Sequence, residues 1–185
     1  MAGTYSKSIL SCFLILILVS GMNPQTSTPG TSKEATPASS QSSAQAQGRV
    51  APAYNFLEAK TCSTPLTGED LGGRTLTQGV YCFTSSAQLT GTLSLHGTAS
   101  SVFIFKIASA LNTASRSSVV MTGGSRARNV YWQVGSSASL GSGTAFQGNI
   151  LALTSISMGT GASLSGRALA RNGAVTMDGN AISMP

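Results

Sequence analysis

Ten residues return after an offset of 18, and that repeat restricts the chain more than any other feature. Gly143-Thr-Ala-Phe-Gln-Gly-Asn-Ile-Leu-Ala152 reappears as Gly161-Ala-Ser-Leu-Ser-Gly-Arg-Ala-Leu-Ala170, so Phe146 falls on Leu164, Gly148 on Gly166 and Ala152 on Ala170. Ala138-Ser-Leu140 and Ile156-Ser-Met158 keep the same offset, and Ala174-Val-Thr-Met177 restates the pattern slipped by one residue. A fixed period of this length, rich in Gly, Ser and Thr, predicts a β-solenoid, in which a coil buries its apolar side chains only by stacking on its neighbour. Such a period divides into three strands of about four to six residues with turns between. The expected fold is all-β, a solenoid of triangular coils with a period of about 18.

Charge agrees with stacked strands. Only 9% of the residues are charged; like charges stacked directly over one another would repel, whereas a helical bundle or a disordered chain needs many more. The net charge of +6 is scattered, with Arg74, Lys106, Arg116, Arg126, Arg128, Arg167 and Arg171 forming no basic run and no aromatic platform. No nucleic-acid partner is expected. Cys12 lies in an N-terminal apolar run, which leaves Cys62 and Cys82 as an even pair in a chain expected to be exported. A disulfide is permitted there, and a metal site is not expected from that spacing.

Along the chain, residues 1–21 are expected to be a secretory signal, with Lys7, an apolar core from Ile9 to Val19, and small Ser20-Gly21. The protein is therefore expected to be secreted; anchorage in a membrane by an uncleaved segment is the alternative. Residues 22–47, with Pro24, Pro29 and Pro37 among Ser and Thr, are expected to be a linker. The solenoid domain is expected over 48–185. Val50, Ala53, Tyr54 and Leu57 fall at i, i+3, i+4 and i+7, which predicts one short helix over about 51–60, Pro52 lying in its first turn. So short a helix must dock on another surface. Strands are expected at Thr75-Leu-Thr77, Val80–Phe83, Leu89–Leu95, Val102–Ile107, Ser118–Met121 and Asn129–Val134.

Aligning Val130–Val134 with Asn149–Leu153 and Arg167–Arg171 gives five columns. A dry interior rejects Asn149, Arg167 and Arg171 unless they are paired. On this alignment Tyr131, Ile150 and Ala168, with Gln133, Ala152 and Ala170, face inward, while Trp132, Leu151 and Leu169 share the outer face. The helix stripe is the expected cover for that outer face.

Asp70-Leu-Gly-Gly73, Gly79-Val-Tyr-Cys-Phe83, Val102-Phe-Ile-Phe105, Asn129-Val-Tyr-Trp-Gln-Val-Gly135, Gly148-Asn-Ile-Leu-Ala152 and Gly166-Arg-Ala-Leu-Ala-Arg-Asn-Gly173 occur in one order. In this the chain resembles the secreted ice-binding (antifreeze) proteins, a discontinuous right-handed β-solenoid with one flanking helix, over about residues 44–183. The resemblance implies export and a flat face that adsorbs to ice. Members of that family carry strands before the helix, where this chain holds only the expected signal and linker, so exposed strand edges are expected. An Arg126-Ala-Arg128 stretch and Pro52 are further departures.

Stacked strands lie about 4.7–4.9 Å apart, close to a repeat of the ice lattice. Threonine suits such a match because its methyl is weakly hydrated, its hydroxyl anchors one water and its χ1 is stiff. The family pattern Thr-(Ala/Gly)-X-(Thr/Asn) is best matched by Thr113-Ala-Ser115, Ser142-Gly-Thr144, Thr160-Gly-Ala-Ser163 and Gly179-Asn180, with Thr90-Gly-Thr92 as an extension. The expected ice-binding residues are Thr113, Ser115, Ser142, Thr144, Thr160, Ser163 and Asn180. A bulky Tyr at Thr144 or Thr160 is expected to abolish ice affinity and spare the fold, and Arg116 is expected to hinder an ordered water layer.

Catalysis is not expected. Glu69 and Asp70 are sequence neighbours and Asp178 is remote, so no glycosidase pair emerges. His96 sits before Gly97, and no nucleophile elbow or phosphate-binding glycine loop occurs. No cofactor is expected, the expected partner is ice, and a monomer is expected. A secreted structural or adhesive solenoid, or an inactive truncated relative, is the alternative.

Overall fold

The computed structural model describes Gly48 and residues 50–185. The expectations for the signal and the linker lie outside the described residues. The chain divides into two units, Met1–Ala53 and Tyr54–Pro185, and the fold below is that of the second.

Its strands are short and all their pairings are parallel. Three ladders can be followed through the hydrogen bonds. The first joins β1 (Thr64–Pro65), β3 (Gly79–Phe83), β6 (Phe103–Ile107) and β9 (Val130–Val134), then the second halves of β11 (Ala145–Ala152) and β13 (Ser163–Ala170). The second joins β2 (Thr75–Leu76), β5 (Thr92–His96) and β8 (Ser118–Thr122), then the first halves of β11 and β13, then β15 (Ala181–Ser183). The third joins β4 (Ala87–Leu89), β7 (Leu111–Thr113), β10 (Ala138–Leu140), β12 (Ile156–Met158) and β14 (Val175–Thr176). Each coil visits the first ladder, then the third, then the second. This is a parallel β-solenoid.

The offset of 18 is the register of the late coils, where Ala145 pairs with Ser163 and Ala138 with Ile156. It does not extend to the early ones: Tyr81 pairs with Phe105 and Phe105 with Trp132, 24 and 27 residues apart. The extra residues sit at one corner. Between the second and first ladders the early coils insert 97–102 and 123–129, the latter holding a 3-10 turn at Ala127–Asn129. The late coils turn that corner inside one strand, at Gly148 and Gly166, which lie side by side with φ of 112° and 155°. The expected strand Leu89–Leu95 is also divided, because Gly91 (φ 90°) turns a corner between β4 and β5.

Inside, equivalent side chains stack. Tyr81, Phe105 and Trp132 lie one over the next, with ring centroids 5.3 and 3.9 Å apart, and Phe146 leans on Trp132 at 4.9 Å. Aromatic contacts of this kind add about 0.5–1.5 kcal/mol each beyond area burial. Here one expectation is corrected. Ile150 pairs with Trp132, not with Tyr131, so Val130, Trp132 and Val134 point into the core while Tyr131 and Gln133 point out. A slip of one residue exchanges the two faces of a strand. Trp132 is tolerated inside because its indole Nε1–H donates to the Gln147 carbonyl at 3.0 Å. Ile150, Ala152, Ala168 and Ala170 are on the core side, as expected.

The helix, α1, runs over 50–58, ending two residues earlier than expected. Val50, Ala53, Tyr54 and Leu57 are buried. The Tyr54 hydroxyl donates to the Val134 carbonyl at 3.3 Å, and Lys106 Nζ donates to the Lys60 carbonyl at 2.7 Å. The body after Ala53 thus fastens the helix end to the outer side of the first ladder. Cys62 and Cys82 form a disulfide, Cα atoms 5.9 Å apart, joining the segment after the helix to β3.

Asp70 locks the first corner. Its Oδ1 accepts from the Gly72 N–H at 2.6 Å and the Thr90 N–H at 2.9 Å. Partial burial works to raise its pKa, but those donors together with Arg74 outweigh it and hold the carboxyl below the ordinary 3.8. A carboxyl with a lowered folded pKa contributes stability that is complete above its unfolded value and is lost as pH falls through the folded one. Thermal melts across the acid range should therefore show a shallower loss for Asp70→Asn than for the parent chain, from a lower starting Tm; parallel curves would contradict the lock.

The glycine bend carries a second prediction. A Cβ on Gly166 would lie 1.9 Å from the Gly148 carbonyl oxygen, whereas one on Gly161 (φ 69°) would meet nothing within 4 Å. Gly161→Ala should cost roughly 1 kcal/mol, the left-handed penalty alone. Gly166→Ala should cost clearly more, about 3 kcal/mol, in a denaturant titration. Equal costs would contradict the close approach at the bend.

Candidate functional site

The three ladders offer three outer surfaces, and their chemistry differs. That of the first is closed. Ile104, Tyr131, Gln133, Asn149 and Leu151 point away from the core yet are buried. Burial pushes the Tyr131 phenol up to about 12, against the pull of the Arg167 and Arg128 charges. Asn149 is satisfied by the carbonyls of Val130 and Arg128 at 3.0 and 3.1 Å. A surface sealed in this way cannot meet another solid.

The third ladder is open but narrow. Its strands of two or three residues each send one side chain outward, in the column Gln88, Asn112, Ser139, Ser157 and Thr176.

The second ladder is open and wider. One outward column runs Thr92, Ser118, Ala145, Ser163 and Ala181. A second, two residues further along each strand, holds Ser94, Val120, Gln147, Ser165 and Ser183. None of these ten is charged. Column neighbours fix one another: the hydroxyls of Thr92 and Ser118 are 2.9 Å apart.

The corner leading into this ladder decides the fate of the expected site residues. Four equivalent turns stack there. Ser115, Ser142, Thr160 and Asp178 occupy the first position, held by Arg116 N–H to Ser142 O at 2.9 Å, Gly143 N–H to Thr160 O at 3.0 Å and Gly161 N–H to Asp178 O at 3.3 Å. The second position is left-handed in every turn, with φ of 60°, 68°, 69° and 61° at Arg116, Gly143, Gly161 and Gly179. That twist turns the third position inward and returns the fourth, Ser118, Ala145, Ser163 and Ala181, to the surface.

In three of the four turns the third position, Ser117, Thr144 or Asn180, is therefore a stitch, Ala162 being the exception. Thr144 is 0% exposed; its hydroxyl lies 3.0 Å from that of Thr113 and donates to the Ala114 carbonyl at 3.2 Å. Thr113, 8% exposed, also accepts from the Gly141 N–H at 3.0 Å. Asn180 donates through Nδ2 to the carbonyls of Gly159 and Ala162 at 2.7 and 2.9 Å. The Ser117 hydroxyl does the same for Leu89 at 2.9 Å.

So the structure separates the seven expected residues. Ser115, Ser142, Thr160 and Ser163 share one outer surface. Thr113 and Thr144 are removed from it by burial, and Asn180 is turned into the corner. A Tyr at Thr144 would have to break the corner, so that substitution does not spare the fold as expected. Sequence reasoning missed Ser118, Ala145, Ala181 and Asp178; the signal for them was the left-handed position, marked by glycine in three turns of four.

One acid, Asp178, lies in this corner, and Glu69 and Asp70 lie elsewhere. Glu69 pairs with Arg74, Asp70 holds its corner, and Asp178 accepts from the Thr160 hydroxyl. His96 faces Thr122 at the far end of the second ladder, 3.3 Å between Nδ1 and Oγ1. Among the described residues no three His, Cys, Asp or Glu side chains are placed to hold a metal ion.

Comparison with known proteins agrees with this geometry. The chain is similar to an ice-binding protein of Nostoc sp. (strain HG1), 59% identical over 143 residues, which cover 76% of this chain and 53% of that one. It is 37% identical over 140 residues to an ice-binding protein of Flavobacterium frigoris (strain PS1), covering 76% and 47%. It thus spans about half the length of the curated relatives it matches. Among solved structures, an ice-binding protein from the Antarctic ascomycete Antarctomyces psychrotrophicus superposes with a TM-score of 0.76 at 38% identity, covering 78% of this chain and 72% of that one. One from an Antarctic biological consortium gives 0.73 at 45% identity, covering 76% and 66%. The profile of the ice-binding-like family matches residues 3–183, and with this solenoid and these relatives the chain belongs to that family.

Proposed function

We propose that the chain adsorbs to ice through the outer surface of the second ladder and thereby restrains ice growth and recrystallisation, without catalysis. The observation that carries this reading is the uncharged double column on β5, β8, β11, β13 and β15, extended by the corner residues Ser115, Ser142 and Thr160. Strand spacing of about 4.8 Å repeats the side chains at a lattice-like interval. Short Ser, Thr and Ala side chains lose little entropy when held there. The coil is proposed to be right-handed and triangular in section, in keeping with parallel crossover connections. Export of the protein, with the N-terminal segment as its signal, belongs to the same proposal.

Arg116 supports a second reading, a relative whose adsorption is weakened. It occupies the left-handed position that glycine fills in the next three turns, and its Cγ would lie 3.5 Å from a Cβ on Gly143. A strongly hydrated side chain thus leaves the backbone, exposed, beside Gly143.

Two measurements separate these readings. In a recrystallisation assay on the folded chain, Ala145→Tyr and Thr160→Tyr should each lower activity at least about tenfold, an exchange of roughly 1.4 kcal/mol, while Ser157→Tyr on the third ladder leaves it unchanged. Loss only at Ser157 would move the site to the third ladder; no activity in folded parent chain would remove the proposal. Arg116→Gly should raise both activity and stability, the latter by up to about 1 kcal/mol. Unchanged activity would show that Arg116 stands clear of the ice.

A further inference from the structure

Two early strands of the second ladder carry one outward residue more than the late ones. Side chains alternate along β5 and β8, so His96 follows Thr92 and Ser94, and Thr122 follows Ser118 and Val120. β11 and β13 have no such third position on this surface, because each bends into the first ladder at Gly148 and Gly166. The open surface is therefore three columns wide at β5 and β8 and two columns wide at β11 and β13. Its third column holds an exposed imidazole, from the one histidine of the chain.

That imidazole has a fixed seat. The ring fills the space that a side chain at position 123 would need: a Cβ on Gly123 would lie 2.7 Å from His96 Cε1 and 2.9 Å from Nδ1. The Thr122 hydroxyl gives its one proton to the Leu95 carbonyl at 3.4 Å, so it accepts from Nδ1–H of His96 at 3.3 Å. This network assigns the neutral tautomer and leaves Nε2 as a bare acceptor. Protonation turns Nε2 into a donor and puts a full charge on the ring.

We propose that His96 is the pH-sensing residue of this surface, and that protonation of its ring weakens adsorption to ice. The inference rests on the second ladder being the surface that meets ice, and adds a regulating group to it. A neutral ring offers what its neighbours offer, an uncharged group held in place. An imidazolium keeps its own hydration shell, and stripping water from a charge that has no partner is costly. Histidine changes charge between about pH 5 and 8. Adsorption is therefore complete above that range and falls as pH drops through it.

The other charged groups on the elements packed against β5 are few. Arg74, ahead of β2, pairs with Glu69 and donates to the Asp70 carbonyl at 2.7 Å, while the Asp70 carboxylate holds its own corner. Arg116 precedes β8, and Arg126 and Arg128 lie in 123–129 behind it. Arginine keeps its charge throughout this range. The change of charge beside the surface is thus that of His96.

A recrystallisation assay on the whole chain, at constant ionic strength and at about pH 8 and about pH 5.5, tests this. Parent activity should be lower at the acid value by at least about threefold, with an unchanged circular dichroism spectrum. His96→Gln should show one activity at both values, above that of the parent in acid. His96→Lys should be low at both. A pH response retained in His96→Gln, a fully active His96→Lys, or an acid loss accompanied by unfolding of the parent would overturn the inference. Ala145→Tyr separates it from the reading on which it rests. Activity abolished by Ala145→Tyr, yet equal in the parent at both pH values, overturns the role of His96 and leaves the ice surface standing. A folded parent inactive at both values removes the two together.

Discussion

Stacking side chains over their equivalents is the constraint on which the rest depends. Parallel strands at one spacing force every inward position to accept the residue above and below it. Phe105 under Trp132 at 3.9 Å, with Tyr81 beyond, is that constraint at its most demanding. Satisfying it inside has a consequence outside. Residues between the core positions are carried into columns with the same spacing, and any corner that turns uniformly makes those columns flat. The regular outer surface is therefore produced by the core. Its chemistry was left free to be small and uncharged.

The corner stitches connect the two. Ser117, Thr144 and Asn180 point inward and bond carbonyls of the neighbouring turn. They hold Ser115, Ser142, Thr160 and Asp178 in line without belonging to the surface themselves. A hydroxyl that bonds inside is unavailable to order water, so the division of labour between adjacent residues is strict. Arg116 is a departure: a residue with a long charged side chain takes the left-handed position that glycine fills in the next three turns.

Much of this was legible in the sequence. The offset of 18 matches the register of the late coils because nothing interrupts them between Ala138 and Ala170 except glycine bends. The Val50, Ala53, Tyr54, Leu57 stripe marked a buried helix face through its spacing alone. Other parts were not legible. The early coils hide the repeat behind the inserts at 97–102 and 123–129, whose lengths no periodicity dictates. At β9 the alignment was set at 19 rather than 18, and Trp132 was consequently turned outward. Polarity was a sound guide in the later coils, where Asn149 points away from the core and gives its amide to the Val130 and Arg128 carbonyls. Thr113 and Thr144 look like surface residues by type; only the left-handed step between Ser142 and Thr144 shows that the latter points in.

The central claim is that the second ladder, and not the stitched corner hydroxyls or the third ladder, meets ice. Solid-state NMR of the labelled chain frozen in water tests it directly, by transferring magnetisation from ice protons to side-chain carbons. The account predicts early transfer to Ser118, Ala145, Thr160 and Ser163, and slow transfer to Thr144, Ser139 and Ser157. Early transfer to Ser139 and Ser157 with none to Ala145 and Ser163 would contradict it.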